Sequence, residues 1–171
     1  VQDFGARAVA EAARAAGAGL THISAIGADV DSDSDYARSK GLAEAAVLKV
    51  LPDAVILRPS IVFGPEDGFF NKFAEMARFS PALPLIGGGE TRFQPVYVGD
   101  VAEDVARSVD GAVPGGRIYE LGGPRVMSFK EVLEEILEIT QRKRALLPLP
   151  WGLASLIGKI ATFIPFIDPP L

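Results

Sequence analysis

Residues 54–57, Ala-Val-Ile-Leu, form an unbroken apolar run between a helix-patterned stretch and a proline. A strand without hydrophobic–polar alternation must be covered on both faces, and such strands belong to parallel sheets clothed by helices. The preceding segments supply that clothing. Residues 1–16 place Val1, Phe4, Ala8, Ala12 and Ala15 on one side and Arg7, Glu11 and Arg14 on the other, an amphipathic helix stopped by Gly17 and Gly19. Leu20–Ile26, with β-branched Thr21, Ile23 and Ile26, reads as a buried strand. Asp29, Asp31, Asp33 and Asp35, interleaved with Ser32 and Ser34, favour a turn and then an N-cap, where negative charge suits a helix start. The helix that follows, about Tyr36–Leu51, ends at Pro52-Asp53. Helix, strand, helix, strand implies a parallel sheet.

The second half is less regular. Phe69–Phe79 is helical in pattern, Pro81–Gly89 reads as a proline and glycine loop, and Phe93–Val98 as a short extended run. Gly99-Asp100 is expected to cap a helix over Val101–Val109, and Arg117–Leu121 to form a strand. Ser128 and Glu131 have the spacing of a capping box, opening a helix that runs to about Thr140. Residues 146–171 are strongly apolar, but Pro148, Pro150, Pro165, Pro169, Pro170 and Lys159 interrupt them, so no transmembrane span of ~20 residues is expected. The sequence begins at Val1 inside a helical pattern, and residue 1 reads as a truncation point.

Composition excludes several chemistries. With no cysteine and one histidine, His22, the chain has no disulfide framework, thiolate zinc site or cysteine nucleophile, and a histidine metal centre or serine–histidine triad is not expected. A net charge of −5 without a basic stripe argues against a nucleic-acid partner. The Asp29–Asp35 run lacks the glycine and glutamate of a calcium loop and reads as solvated capping; no metal site is expected. His22 reads as a core or edge residue.

The most informative pair is Tyr36 and Lys40, in Tyr36-Ala37-Arg38-Ser39-Lys40 at a helix start. Spacing i,i+4 puts phenol and ammonium on one face, and a nearby ammonium favours the phenolate, which suits proton transfer in carbonyl reduction or alcohol oxidation. The helix follows the strand ending near Ser24 and precedes Leu57-Arg58-Pro59-Ser60-Ile61-Val62-Phe63-Gly64-Pro65, and open α/β sheets bind ligands at the edge where such ends meet. Together with Arg92, Val96, Asp100 and Val101, these motifs resemble the downstream half of the extended and atypical short-chain dehydrogenase/reductase superfamily. His22–Asp29, the Tyr36–Lys40 motif, and Leu85–Gly89 through Arg92–Ala102 are most similar to bacterial relatives of the NAD(P)H-binding accessory subunit of respiratory complex I.

The resemblance implies an α/β fold: the C-terminal part of a Rossmann-like doubly wound parallel sheet with a small α/β substrate-side subdomain. Residues 1–66 would be the C-terminal half of the dinucleotide domain, 67–145 a mixed region contributing sheet elements and the subdomain, and 146–171 an apolar, proline-interrupted segment. It implies NADP or NAD as cofactor, with Tyr36, Lys40 and Ser24 as the catalytic set, Tyr36 as acid/base and Lys40 on the nicotinamide ribose hydroxyls, Ser24 also meeting the cofactor from the strand end, and Pro59, Ser60, Ile61 and Val62 passing beside the nicotinamide. In active members the substrate-polarising hydroxyl lies near the position of Ile26. Arg92 would meet a substrate phosphate or serve as a surface ion pair. The glycine-rich phosphate-cradling turn is absent from these residues, since Gly17-Ala18-Gly19 follows a helix and Gly87-Gly88-Gly89 lies in a loop; that half of the site is expected upstream. Three function classes stay open. One is an accessory or stabilising nucleotide-binding subunit partnered with complex I subunits, cytoplasmic or peripheral at the inner membrane. The second is an active NAD(P)-dependent oxidoreductase or nucleotide-sugar epimerase/dehydratase, and the third a scaffold without nucleotide.

Overall fold

A computed structural model describes residues 2–150 and residue 152. In chain order its elements are α1 (Gln2–Ala15), β1 (Thr21–Ile23), α2 (Asp35–Val50), β2 (Val55–Pro59), β3 (Val62–Phe63), α3 (Phe70–Phe79) and β4 (Ala82–Ile86). There follow β5 (Arg92–Phe93), β6 (Val96–Tyr97), α4 (Val98–Val109), β7 (Arg117–Leu121), β8 (Met127–Ser128), α5 (Phe129–Ile139) and β9 (Ala145–Leu149). They divide into two compact units: residues up to Val62 with Pro95–Pro124, and Phe63–Gln94 with the residues from Arg125.

The first unit contains the expected parallel sheet, in the order β1-β2-β7. The apolar run is its buried centre: Ala54 and Ile56 are fully enclosed and Leu57 nearly so. Ala10 of α1 and Val47 of α2 close over Ala54 and Ile56, while Thr21, in register with Val55, reaches the opposite layer through a 2.7 Å hydrogen bond to Ser108 of α4. Burying side chains such as Ile56 contributes roughly 1.5–3 kcal/mol each. Gly17, at a φ of 64°, turns the chain out of α1, as its position predicts. Leu20–Ile26, expected as a buried strand, is shorter and more open. The strand proper is Thr21–Ile23, its flanking residues adding single backbone bonds to β2, and Ile23 and Ile26 are exposed, because β1 is an edge of the described sheet.

The second unit is held by rings. Phe69 packs against Phe70, Phe73, Phe93 and Phe129, and Leu83, Val132 and Leu133 complete the core beneath them. The capping box forms as the spacing requires: Glu131 N donates to Ser128 Oγ at 3.2 Å, and Ser128 N donates back to Glu131 Oε2 at 2.6 Å. One expectation fails here and, besides the Leu20–Ile26 strand, a second in the first unit. Pro81–Gly89 is not a loop: Ala82–Ile86 is β4, paired in parallel with β9, with Leu83 and Leu85 alternating inward. Its Pro84 and the Pro148 of β9 are tolerated because a two-stranded ladder leaves each strand an open edge. The apolar segment 146–171 accordingly begins as strand; from Trp151 onward, Gly152 apart, it lies outside the described residues. Finally, Gly99-Asp100 does not cap α4, which starts at Val98; Asp100 instead sits in the first turn, where its charge suits the helix dipole.

Candidate functional site

Chain segments meet at the C-terminal edge of the first unit's sheet. Beyond β1, Ser24 N donates to Leu57 O at 2.7 Å and Ile26 N to Pro59 O at 3.1 Å, so the loop after β1 runs along the end of β2. Ser60 N donates to Leu121 O at 2.8 Å, and Ile61 O accepts from Val96 N at 3.0 Å, which fixes the Pro59–Val62 backbone from the other side. The acidic loop then closes onto α2. Asp29 N donates to Ala37 O at 3.1 Å, Asp29 Oδ1 accepts from Asp31 N at 3.0 Å, and Ser34 caps the helix by accepting from Ala37 N. Gly41 permits this contact, since a Cβ there would lie 2.6 Å from the Asp29 carbonyl carbon and Val30 N. Loop and first turn are thus hydrogen-bonded into one body.

Tyr36 stands on that first turn, 58% exposed, and Lys40 follows one turn on. The Lys40 Nζ lies 5.9 Å from the centre of the Tyr36 ring, so the pair shares a face and the ammonium sits over the π-cloud. Lys40 also lines a cavity of about 330 Å³ with Val9, Leu20, His22, Ile23 and Ala43. Tyr36 is not among its lining residues. Ser24 is 4% exposed, and its Oγ, like His22 Nε2, is buried without a hydrogen-bond partner. Burial holds the His22 imidazole below its ordinary pKa, the Lys40 charge adds to that, and Glu44 opposes it. Ser24, Tyr36, Lys40, Pro59, Ser60, Ile61 and Val62 therefore all belong to the first unit, whereas Arg92 is an exposed residue on β5 of the second.

Two charged residues at this edge went unread in the sequence as a pair. Glu44, 4% exposed on α2, accepts from Arg58 Nε at 2.8 Å and from Arg58 Nη2 at 2.6 Å. The signal was available. An arginine inside an apolar strand needs a buried partner, and Glu44 continues the Tyr36, Lys40 stripe at the same i,i+4 step.

Residues 27–107 match the model of the 3-beta hydroxysteroid dehydrogenase/isomerase family. The chain is 38% identical, over 83% of its length, to the mitochondrial NADH dehydrogenase (ubiquinone) 1 alpha subcomplex subunit 9 of Arabidopsis thaliana, of which it covers 36%. It is 34% identical, over 88% of its length, to the ceramide reductase of Caulobacter vibrioides, of which it covers 47%. The chain thus spans less than half the length of these curated relatives. Among solved structures, the UDP-glucose 4-epimerase of Thermus thermophilus in complex with NAD superposes with a TM-score of 0.72 at 26% identity, over 88% of this chain and 57% of that one. The expected Rossmann-like α/β class is the fold observed.

Proposed function

We propose that this chain is a member of the extended and atypical short-chain dehydrogenase/reductase superfamily, and that the protein binds NADP or NAD as an accessory, nucleotide-stabilised subunit of a respiratory NADH dehydrogenase of the complex I type. The supporting observation is that the loop after β1 is hydrogen-bonded to Pro59 through Ile26 and to Ala37 through Asp29, on the helix turns that bear Tyr36 and Lys40, beside a buried Ser24 hydroxyl with an unspent hydrogen bond. Such an orphaned group at a ligand edge fits a bound polar partner. When bound, the nicotinamide gives or accepts a hydride. Lys40 holds the nicotinamide ribose hydroxyls, the Pro59–Val62 backbone flanks the ring, and Ser24 offers its hydroxyl to a bound oxygen. The 38% identity with the plant mitochondrial subunit supports membership of such a dehydrogenase; a cytoplasmic protein, peripheral at the inner membrane, is the location that goes with this proposal. Among the described residues no helix is long and apolar enough to cross a membrane.

A second reading draws on the reductase relative and on the retained Tyr36: an active oxidoreductase or epimerase in which the Tyr36 phenol gives or takes the proton and Arg92 meets a substrate phosphate. One experiment separates the two. In the full-length protein, thermal stabilisation by NADH and NADPH is measured for wild type, Tyr36→Phe and Lys40→Ala, beside a screen of carbonyl and nucleotide-sugar substrates. Expected are unchanged stabilisation in Tyr36→Phe, weakened stabilisation in Lys40→Ala by loss of ammonium hydrogen bonds of ~1.5–3 kcal/mol each, and no turnover. Full stabilisation of Lys40→Ala refutes the site, and turnover abolished by Tyr36→Phe replaces the accessory reading with the enzymatic one.

A further inference from the structure

We infer that Glu44 and Arg58 are positioning residues for the nicotinamide end of the site, a reading that rests on the function proposed above. The face of α2 that carries Tyr36 and Lys40 continues to Glu44, four residues and about 6 Å further along the axis. There the helix turns from open to enclosed: Tyr36 is 58% exposed and Glu44 is 4% exposed. Glu44 meets Arg58 in a two-pronged pair, both guanidinium donors on both carboxylate oxygens, at 2.8 and 2.6 Å. Arg58 is the residue of β2 immediately before Pro59, and it also stands 3.6 Å from Glu120, its register partner on β7. One guanidinium therefore ties α2 to two strands at the base of the segment assigned to the nicotinamide.

The chemistry of this pair decides what it is for. A buried ion pair stabilises a fold little better than apolar groups of the same volume, and often less well. What it adds is geometry, because a fork-on-fork contact is satisfied at only one axial and rotational setting of the helix. Apolar packing by the neighbouring Ala43 and Val47 tolerates a small slide or rotation; the Glu44–Arg58 contact does not. Lys40 lies one turn from that anchor on the same stripe, and Pro59 is one residue from it on the strand. The pair sets the distance between the group that holds the ribose and the backbone that flanks the ring.

The test uses the full-length protein and the double variant Glu44→Met/Arg58→Met, which removes both charges while keeping side-chain bulk. ADP and 2′,5′-ADP, which lack the nicotinamide riboside, serve as reference ligands beside NADH and NADPH, and Lys40→Ala runs as the control for the site itself. Positioning predicts that the double variant melts at or above the wild-type temperature, binds the ADP probes as wild type does, and loses about tenfold in dinucleotide affinity, ~1.4 kcal/mol. It also predicts an altered fluorescence of bound NADH. A purely structural role would move the ADP and NADH affinities together, and that result overturns the inference. So does unchanged NADH affinity in a double variant where Lys40→Ala weakens it. If Lys40→Ala itself binds NADH normally, the site reading fails and the positioning role falls with it. Should the methionine pair not fold, Arg58→Lys, which keeps the charge but removes the fork, is expected to show the same separation of NADH from ADP, and equal losses for both ligands count against positioning.

Discussion

The two units solve the same problem with different materials. The first is built on an aliphatic parallel sheet around Ile56, with a single charged pair let into its core, and its strand ends are left to carry polar groups. The second packs Phe69, Phe73, Phe93 and Phe129 in edge-to-face and tilted contacts around one point, with short ladders at its margin. Aliphatic strands in register give repeated, evenly spaced backbone ends at one edge, which is where a ligand site can be assembled. A ring cluster gives dense burial without such an edge. Stability in the second unit is therefore concentrated in a few large side chains, whereas in the first it is spread along strands and the site geometry depends on small contacts.

The largest effect that would break this contrast is expected from Phe129→Ala. Phe129 is 5% exposed and contacts three other rings. Truncation leaves a cavity at the hub and should cost about 3–5 kcal/mol, measured by denaturant unfolding of the full-length protein. The dinucleotide affinity of the fraction still folded should be that of wild type. A loss below 1 kcal/mol, on the order of a surface substitution, would show that the ring cluster is not where the second unit keeps its stability.

A smaller effect with the opposite signature is expected at Gly41. A methyl group there meets the backbone of Asp29 and Val30 at 2.6 Å, and backbone cannot swing aside as a side chain does. Gly41→Ala should cost about 1–3 kcal/mol and, by pushing the acidic loop off the first turn of α2, weaken NADH binding more than ADP binding. Calorimetry with both ligands checks it. Equal affinities in variant and wild type would mean that the loop and Tyr36 are not one body.

What could be read from sequence follows the same division. The first unit's helices and strands were legible because the Ala54–Leu57 run, the Ser34 cap and the Pro52 stop are local signals with a fixed period. In the second unit β4 was missed because Pro81 and Pro84 mark a loop, while its true pattern, Leu83 and Leu85 turned inward, spans only two residues. Its partner β9 lies far along the chain, and no local pattern announces a ladder between distant edge strands. The Tyr36–Lys40 pair was legible from spacing, and the structure places its ammonium over the ring. The Glu44–Arg58 pair went unread although Arg58 interrupts an apolar strand, because its two halves sit on separate elements and joining them takes a contact that only the fold supplies.

The smallest expected effect concerns His22, the one histidine of the chain. It lies on β1 with Nε2 buried and unpartnered, faced by Lys40, which disfavours its protonation, and by Glu44, which favours it. Burial is the larger influence and holds its pKa below 6.5. In the unfolded chain the imidazole takes up a proton at its ordinary value, so below that pH the unfolded state binds more protons than the folded one, and stability falls with acidification. Above it the contribution is complete. His22→Leu removes the titrating group, so wild type should lose stability relative to the variant as pH drops from neutrality through 6.5 toward the folded value. Glu131 does not confuse the measurement. Its carboxylate, held down by the Ser128 backbone hydrogen bond, stays ionised through that window and gives up its contribution only below the ordinary carboxylate value of 4.5. Chemical denaturation between neutrality and 4.5 therefore reads His22 apart from Glu131. A pH dependence that is identical in wild type and His22→Leu between neutrality and the carboxylate range would show that the imidazole gains a partner in the complete protein, and the natural candidate is whatever fills the cavity it shares with Lys40.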